Sequence, residues 1–126
     1  MENSSIPLQP AFAQEFAREW VDAWNSHDLE RILEHYDDEV VLISPVALKL
    51  LNNADGVVHG KAALREYFLR GIQAFPNRRF DLIDILWGVE TLVVYYANNV
   101  RGSKSAEVMQ LTATGKIRRV WANYDE

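Results

Sequence analysis

The chain contains no cysteine among its 126 residues. Disulfides, thiolate metal sites and a cysteine nucleophile are excluded together, and the chain is unlike a small secreted scaffold. Basic residues are outnumbered: 13 Lys and Arg stand against 18 Asp and Glu, for a net charge of -5. Nucleic acid, whose affinity comes largely from Lys and Arg on phosphates, is therefore not an expected partner. Arg78-Arg79 and Arg118-Arg119 are basic pairs too short to make a patch. No apolar run approaches the ~20 residues that span a bilayer. The segment MENSSIPLQP has neither the basic nor the apolar region of a signal peptide. The phosphate loops G-x-x-x-x-G-K-S/T and G-x-G-x-x-G are missing, and so is the G-x-S-x-G nucleophile elbow. His27, His35 and His59 follow no metal-ligand spacing. No metal or cofactor is expected, and the expected setting is the cytoplasm, away from membranes.

What is present suffices for one domain with a real core: 48% of residues are hydrophobic. Residues 1–9 read as a loose tail and 10–126 as a single domain. Pro10 suits the first turn of a helix, where its missing N–H costs nothing. Phe12, Phe16, Trp20 and Trp24 recur every four residues, with Ala13 and Ala17 beside them, as one face of an amphipathic helix. Asn25-Ser26-His27-Asp28 breaks it. Asp28 caps a second short helix in which Ile32, Leu33 and Tyr36 face inward, and Asp37-Asp38-Glu39 ends that element. Val40 to Ile43 is a strand stopped by Ser44-Pro45. Residues 46–56, with three leucines and no clear period, read as a short helical flap or loop. Leu64, Tyr67, Phe68, Ile72 and Phe75 form the buried stripe of a third helix that ends at Pro76. Four strands follow, over Phe80–Trp87, Thr91–Asn99, Lys104–Thr112 and Ile117–Tyr124, with turns at Arg101-Gly102-Ser103 and Thr114-Gly115. Helices first and strands afterwards is the α+β pattern of helices packed on an antiparallel sheet.

WVDAWNSHDLERILEHYDDEVVLISP followed by VVHGKAALREYF resembles the opening half of a SnoaL-like protein, and GKIRRVWANYD is similar to the last strand of the same domains. These proteins belong to the nuclear transport factor 2-like superfamily, which includes ketosteroid isomerase. The resemblance covers residues 10 to 126. It implies a cystatin-like fold: a strongly curved antiparallel sheet wrapped around three helices of the N-terminal half, forming a cone with an opening. It also implies that the stripe of the first helix packs on the concave sheet and partly lines the cone. Many members form homodimers through the outer sheet face. The fold hosts isomerases, cyclases, hydrolases, dehydratases and inert binding modules, so it does not name a function.

Glu107 is the leading candidate for chemistry. In SAEVMQLT it shares strand parity with Met109 and Leu111, and a carboxyl among such neighbours would have a raised pKa suited to acid or base work. The alternative is a carboxylate that faces out and pairs with Arg118 or Arg119. With a two-residue turn at Arg101-Gly102, Tyr96 falls opposite Glu107; a one-residue bulge would put Tyr95 there. Asp84 alternates with Phe80, Leu82 and Leu86 and reads as a charge on a wet sheet face, with a second pocket carboxylate as the alternative. The resemblance to ketosteroid isomerase sets Glu107 where that enzyme has an oxyanion-hole acid. It sets Ser44 where that enzyme has its aspartate base, and Trp20 where it has its oxyanion tyrosine. An indole N–H donates but neither accepts nor ionises, so steroid isomerisation is not expected.

The expected catalytic set is therefore Glu107, Tyr96 and Ser44. The expected ligand-binding set is Trp20, Trp24, Ser44, His59, Tyr67, Tyr96, Met109 and Tyr124. The leading functional expectation is a module binding a small, largely apolar or amphipathic molecule in the cone. An acid–base enzyme using Glu107 is the alternative, and an interaction module with a filled cone is the third. Residues 46–56 form either a lid or a leucine patch. Trp121, of opposite parity to Val120 and Ala122, faces outward as the expected centre of a homodimer interface.

Overall fold

The computed structural model describes residues 8–51, 55–100 and 102–125. Four helices and six strands follow one another as α1 (Pro10–Ser26), α2 (Leu29–Leu33), β1 (Tyr36–Ile43), α3 (Pro45–Leu50), β2 (Val57–His59), α4 (Lys61–Ala74), β3 (Phe80–Trp87), β4 (Thr91–Asn98), β5 (Ser103–Leu111) and β6 (Ile117–Tyr124). The strands make one curved, unclosed sheet in the order β2-β1-β6-β5-β4-β3. Every pairing is antiparallel except β1 with β6, which run parallel. A chain that passes through α3, β2, α4 and three strands between β1 and β6 is long enough for that parallel return. The expected tail over 1–9 lies outside the described residues as far as residue 7. Leu8 is tied down, its N–H donating to the Gly88 carbonyl at 3.0 Å.

The helices take most of the expected faces, but Phe12 and Phe75, expected in the buried stripes, are exposed, and Phe75 follows α4 rather than belonging to it. Pro10 stands at the start of α1, whose buried residues are Ala13, Phe16, Ala17, Trp20, Val21, Ala23 and Trp24. Burying one tryptophan ring is worth about 4–6 kcal/mol as an upper figure. α1 packs on β3 and α4 on β1. His27 ends α1 in the left-handed conformation at φ 59. The Asp28 carboxylate caps α2 by accepting from the N–H groups of Glu30 and Arg31. The first part of the expected flap over 46–56 is α3, capped by Ser44, whose hydroxyl accepts from the Val46 N–H at 3.1 Å, while residues 52–54 of it lie outside the described residues. Gly56 closes this excursion: a side chain there would bring its Cβ to 2.8 Å from the Ser44 carbonyl oxygen.

Three expectations change. Tyr36 opens β1 rather than closing α2, because it pairs with Ile117; Asp37, Asp38 and Glu39 are a solvated stretch of strand, not a terminator. The register of β4 against β5 sets Tyr96 opposite Ser105 and Val94 opposite Glu107, since the turn spans residues 99–102 rather than two. Finally, a bulge between Leu82 and Asp84 inverts the parity of β3. Asp84 is exposed as expected, while Ile85, not Leu86, turns toward the core.

Candidate functional site

The concave face of the sheet, α3, α4 and the segment before β3 enclose a cavity of about 440 Å³. Its walls are mostly apolar, from Trp24 on α1, Leu42 on β1, Tyr67 and Phe68 on α4, Phe80 on β3 and Ala122 on β6. Into it converge Ser44, Tyr96, Glu107 and Tyr124, with Arg78, Lys49, Asn98 and Ser103 also on the lining. A concave apolar space with a few polar groups is the usual form of a small-molecule site.

Glu107 sits in the middle of β5 with Ser105, Met109 and Leu111 on the same buried face. Only 8% of its surface is exposed. The Tyr96 hydroxyl donates to Glu107 Oε2 at 2.7 Å. This bond crosses the β4–β5 ladder diagonally, which is how the two meet despite the shifted register. Burial pushes the Glu107 carboxyl up to about 7; the Tyr96 hydrogen bond and the positive charge of Arg78 pull the other way and are outweighed. Glu107 is thus poised to hold or release a proton near neutral pH, the property required of a general acid or base. Burial and the Glu107 charge together push the Tyr96 phenol well above its usual range, so it remains a donor. Burial likewise raises Tyr67 and Tyr124, and the Ser44 hydroxyl beside both opposes the rise.

Beneath this pair lies an aromatic layer. Trp20 stacks on Phe80 with ring centroids 5.8 Å apart and leans on Tyr96 at 5.5 Å. Its indole N–H donates to the Tyr36 oxygen at 3.0 Å. Tyr36 lines the cavity, and burial is the main reason its phenol is raised. The Trp24 N–H faces the same oxygen without reaching hydrogen-bond geometry and is buried without a partner.

The residues expected from sequence divide. Trp24, Ser44, Tyr67, Tyr96, Glu107 and Tyr124 come together on the lining. Trp20, Met109 and His59 do not. Trp20 is a turn of helix away from Trp24 and is covered by Phe80 and Tyr96, so it acts through Tyr36 from behind. Met109 is fully buried, paired with Leu92 and Val120 deeper along the sheet. His59 is exposed at the outer edge strand, opposite Val41. Glu107 forms no pair with Arg118 or Arg119, and Tyr96 rather than Tyr95 is its partner. Among the described residues no cluster of three His, Asp or Glu could hold a metal ion.

Against known proteins, the model of the SnoaL-like domain matches residues 17–122. The chain belongs to the SnoaL-like family. A SnoaL-like protein of unknown function from Burkholderia thailandensis is 32% identical, with 96% of this chain and 100% of that chain covered and a TM-score of 0.91. A protein with a cystatin-like fold from Methylobium petroleophilum is 16% identical over 96% of this chain and 80% of its own, with a TM-score of 0.75. TerC, co-crystallised with polyporic acid, is 16% identical over 90% of this chain and 92% of its own, with a TM-score of 0.73. These last two share the fold alone. No curated protein matches the chain.

In this SnoaL-like chain, sequence reasoning missed Tyr36 and Arg78. The acidic run behind Tyr36 extends the sequence pattern of the second helix over it, and Arg78 reads as half of a short basic pair, although FPNRRF sets it between two phenylalanines, a signal of its own.

Proposed function

We propose that this SnoaL-like protein binds a small, largely apolar molecule in its cavity. The observation that carries the reading is the apolar space of about 440 Å³ with the buried Glu107 carboxyl at its wall. A filled cone would leave no such space, since ligand pockets begin at about 300 Å³. The test is calorimetric titration with a neutral aromatic probe, 2-naphthamide. Saturable binding of one probe per chain supports the reading, and no heat of binding at any accessible concentration contradicts it.

A second reading is favoured by one specific feature, the carboxyl near neutrality held by Tyr96. In that reading Glu107 is the general acid or base of an isomerase, cyclase or dehydratase, and Ser44 is a donor at most. Ser44 caps α3, its hydroxyl accepting from the Val46 N–H. Glu107→Gln would then abolish turnover while leaving probe affinity within about threefold; in the binding reading it adjusts affinity only.

We also propose that the chain forms a homodimer through the outer sheet face. Trp121 is turned outward and 36% exposed, with the Arg119 guanidinium 6.0 Å above its ring.

A further inference from the structure

We propose that the ligand is an organic anion, an apolar body bearing a carboxylate or similar acid group, and that Arg78 is the residue that binds its charge. This rests on the reading that the cavity takes a small molecule, and it adds the chemical class.

Arg78 lines the cavity from the segment between α4 and β3. Its guanidinium lies over three rings, 5.2 Å from the Trp24 centroid, 5.5 Å from Phe80 and 5.8 Å from Phe75. Among the described residues it has no carboxylate within ion-pair distance. Arg79 faces Asp81, Arg31 is joined to Glu19, and Arg65 to Glu30, while Arg18, Arg70, Arg118 and Arg119, also without an ion pair among the described residues, are exposed to water. Arg78 differs from those exposed arginines in being partly buried, on the cavity lining, without a carboxylate partner. Partial burial strips water from a guanidinium, and ring stacking offsets only part of that loss. An incoming carboxylate would supply the missing partner through two parallel N–H···O bonds, the geometry that suits arginine best.

The position is also built to be rigid. Arg78 donates its backbone N–H to the Phe75 carbonyl at 3.1 Å, and its own carbonyl lies 2.7 Å from His27 Nε2. On one side Asn25 clamps Phe80, donating to its carbonyl at 2.9 Å and accepting its N–H at 2.8 Å. Asn99 bridges the two flanks, accepting the Arg79 N–H at 2.7 Å and donating to the Asn77 carbonyl at 3.1 Å. The guanidinium rests against Gly71 of α4, where a Cβ would stand 3.5 Å from Nη2. Glycine is unfavourable in a helix interior, and here it leaves the arginine a flat bed. Lys49 is a second cation on the lining without a carboxylate partner among the described residues. The one acid on the lining, Glu107, makes no ion pair with either cation.

The test is calorimetric titration of the full chain with 2-naphthoate and with its neutral amide, 2-naphthamide. Wild type is expected to bind naphthoate about tenfold or more tighter than naphthamide. Arg78→Gln should remove most of that preference while changing naphthamide affinity less than about twofold, and Arg78→Lys should keep part of it. Equal affinity for the two probes in wild type, or unchanged naphthoate binding in Arg78→Gln, would overturn the proposal and leave the cavity as a neutral binding site. Failure of both probes to bind would overturn the cavity reading as well. The wild-type ratio decides the matter even if Arg78→Gln does not fold.

Discussion

Glu107 couples the site to stability. Burial pushes its carboxyl up to about 7 in the folded chain, from an ordinary value of 4.5. The folded state therefore binds a proton more tightly than the unfolded state does. The Glu107 contribution to stability is full below about pH 4.5, is lost as the pH rises toward 7, by about 3 kcal/mol at most, and changes no further above it. Urea unfolding at pH 5 and pH 8 should show this decline. In Glu107→Gln the slope should vanish and the variant should be the more stable protein at pH 8, because the amide still accepts from Tyr96. A wild-type stability that rises between these pH values would contradict it. Tyr96→Phe removes a bond that favours the ionised carboxyl. Its expected effect is to raise the Glu107 titration further, readable by carbon NMR of the carboxyl.

The elements were unequally legible. The stripe of α1 is legible because aromatic residues at constant spacing leave one face to bury, and Phe16, Trp20 and Trp24 do so while Phe12, in the first turn, stays exposed. The caps at Asp28 and Ser44 follow from local side-chain chemistry alone. Strand faces were harder, because alternation carries no signal of an inserted residue. The bulge at Leu82 to Asp84 and the longer β4–β5 turn each moved the register without changing composition. Tyr96 still reached Glu107 because a shift of two residues preserves parity. Trp20 and Trp24 were indistinguishable by period, and only Phe80 and Tyr96 packing over Trp20 separates wall from foundation. Arg78 lies outside every periodic element and is placed by Asn25, His27 and Asn99, which are long-range contacts. Asn25→Ala should accordingly cost about 1–3 kcal/mol in urea unfolding, since it strands both backbone groups of Phe80. A cost below about 0.5 kcal/mol would mean the clamp is idle. In α3, Val46, Lys49 and Leu50 line the cavity while Leu48 is exposed. If this helix acts as a lid, its amide exchange should slow when naphthoate or naphthamide binds. Unchanged exchange would make it a fixed wall.

At the scale of the molecule, the two faces of one sheet differ. Its concave side carries the cavity and its convex side carries Trp121. The residues of the two sides alternate along β5 and β6, with Glu107 and Ala122 inward and Val108 and Trp121 paired on the other face. A homodimer through the convex side predicts a mass of twice 14.5 kDa by light scattering at micromolar concentration, and Trp121→Glu should halve it. A monomeric wild type would dismiss the interface and leave the cavity untouched. No helix among the described residues is long and apolar enough to cross a membrane.

The most direct measurement is the titration of the Glu107 carboxyl by carbon NMR in the unliganded protein. A carboxyl walled into an apolar hollow beside Tyr96 should titrate at about 7. A midpoint near 4.5, that of a carboxylate in open water, would contradict a buried acid at the wall of the cavity.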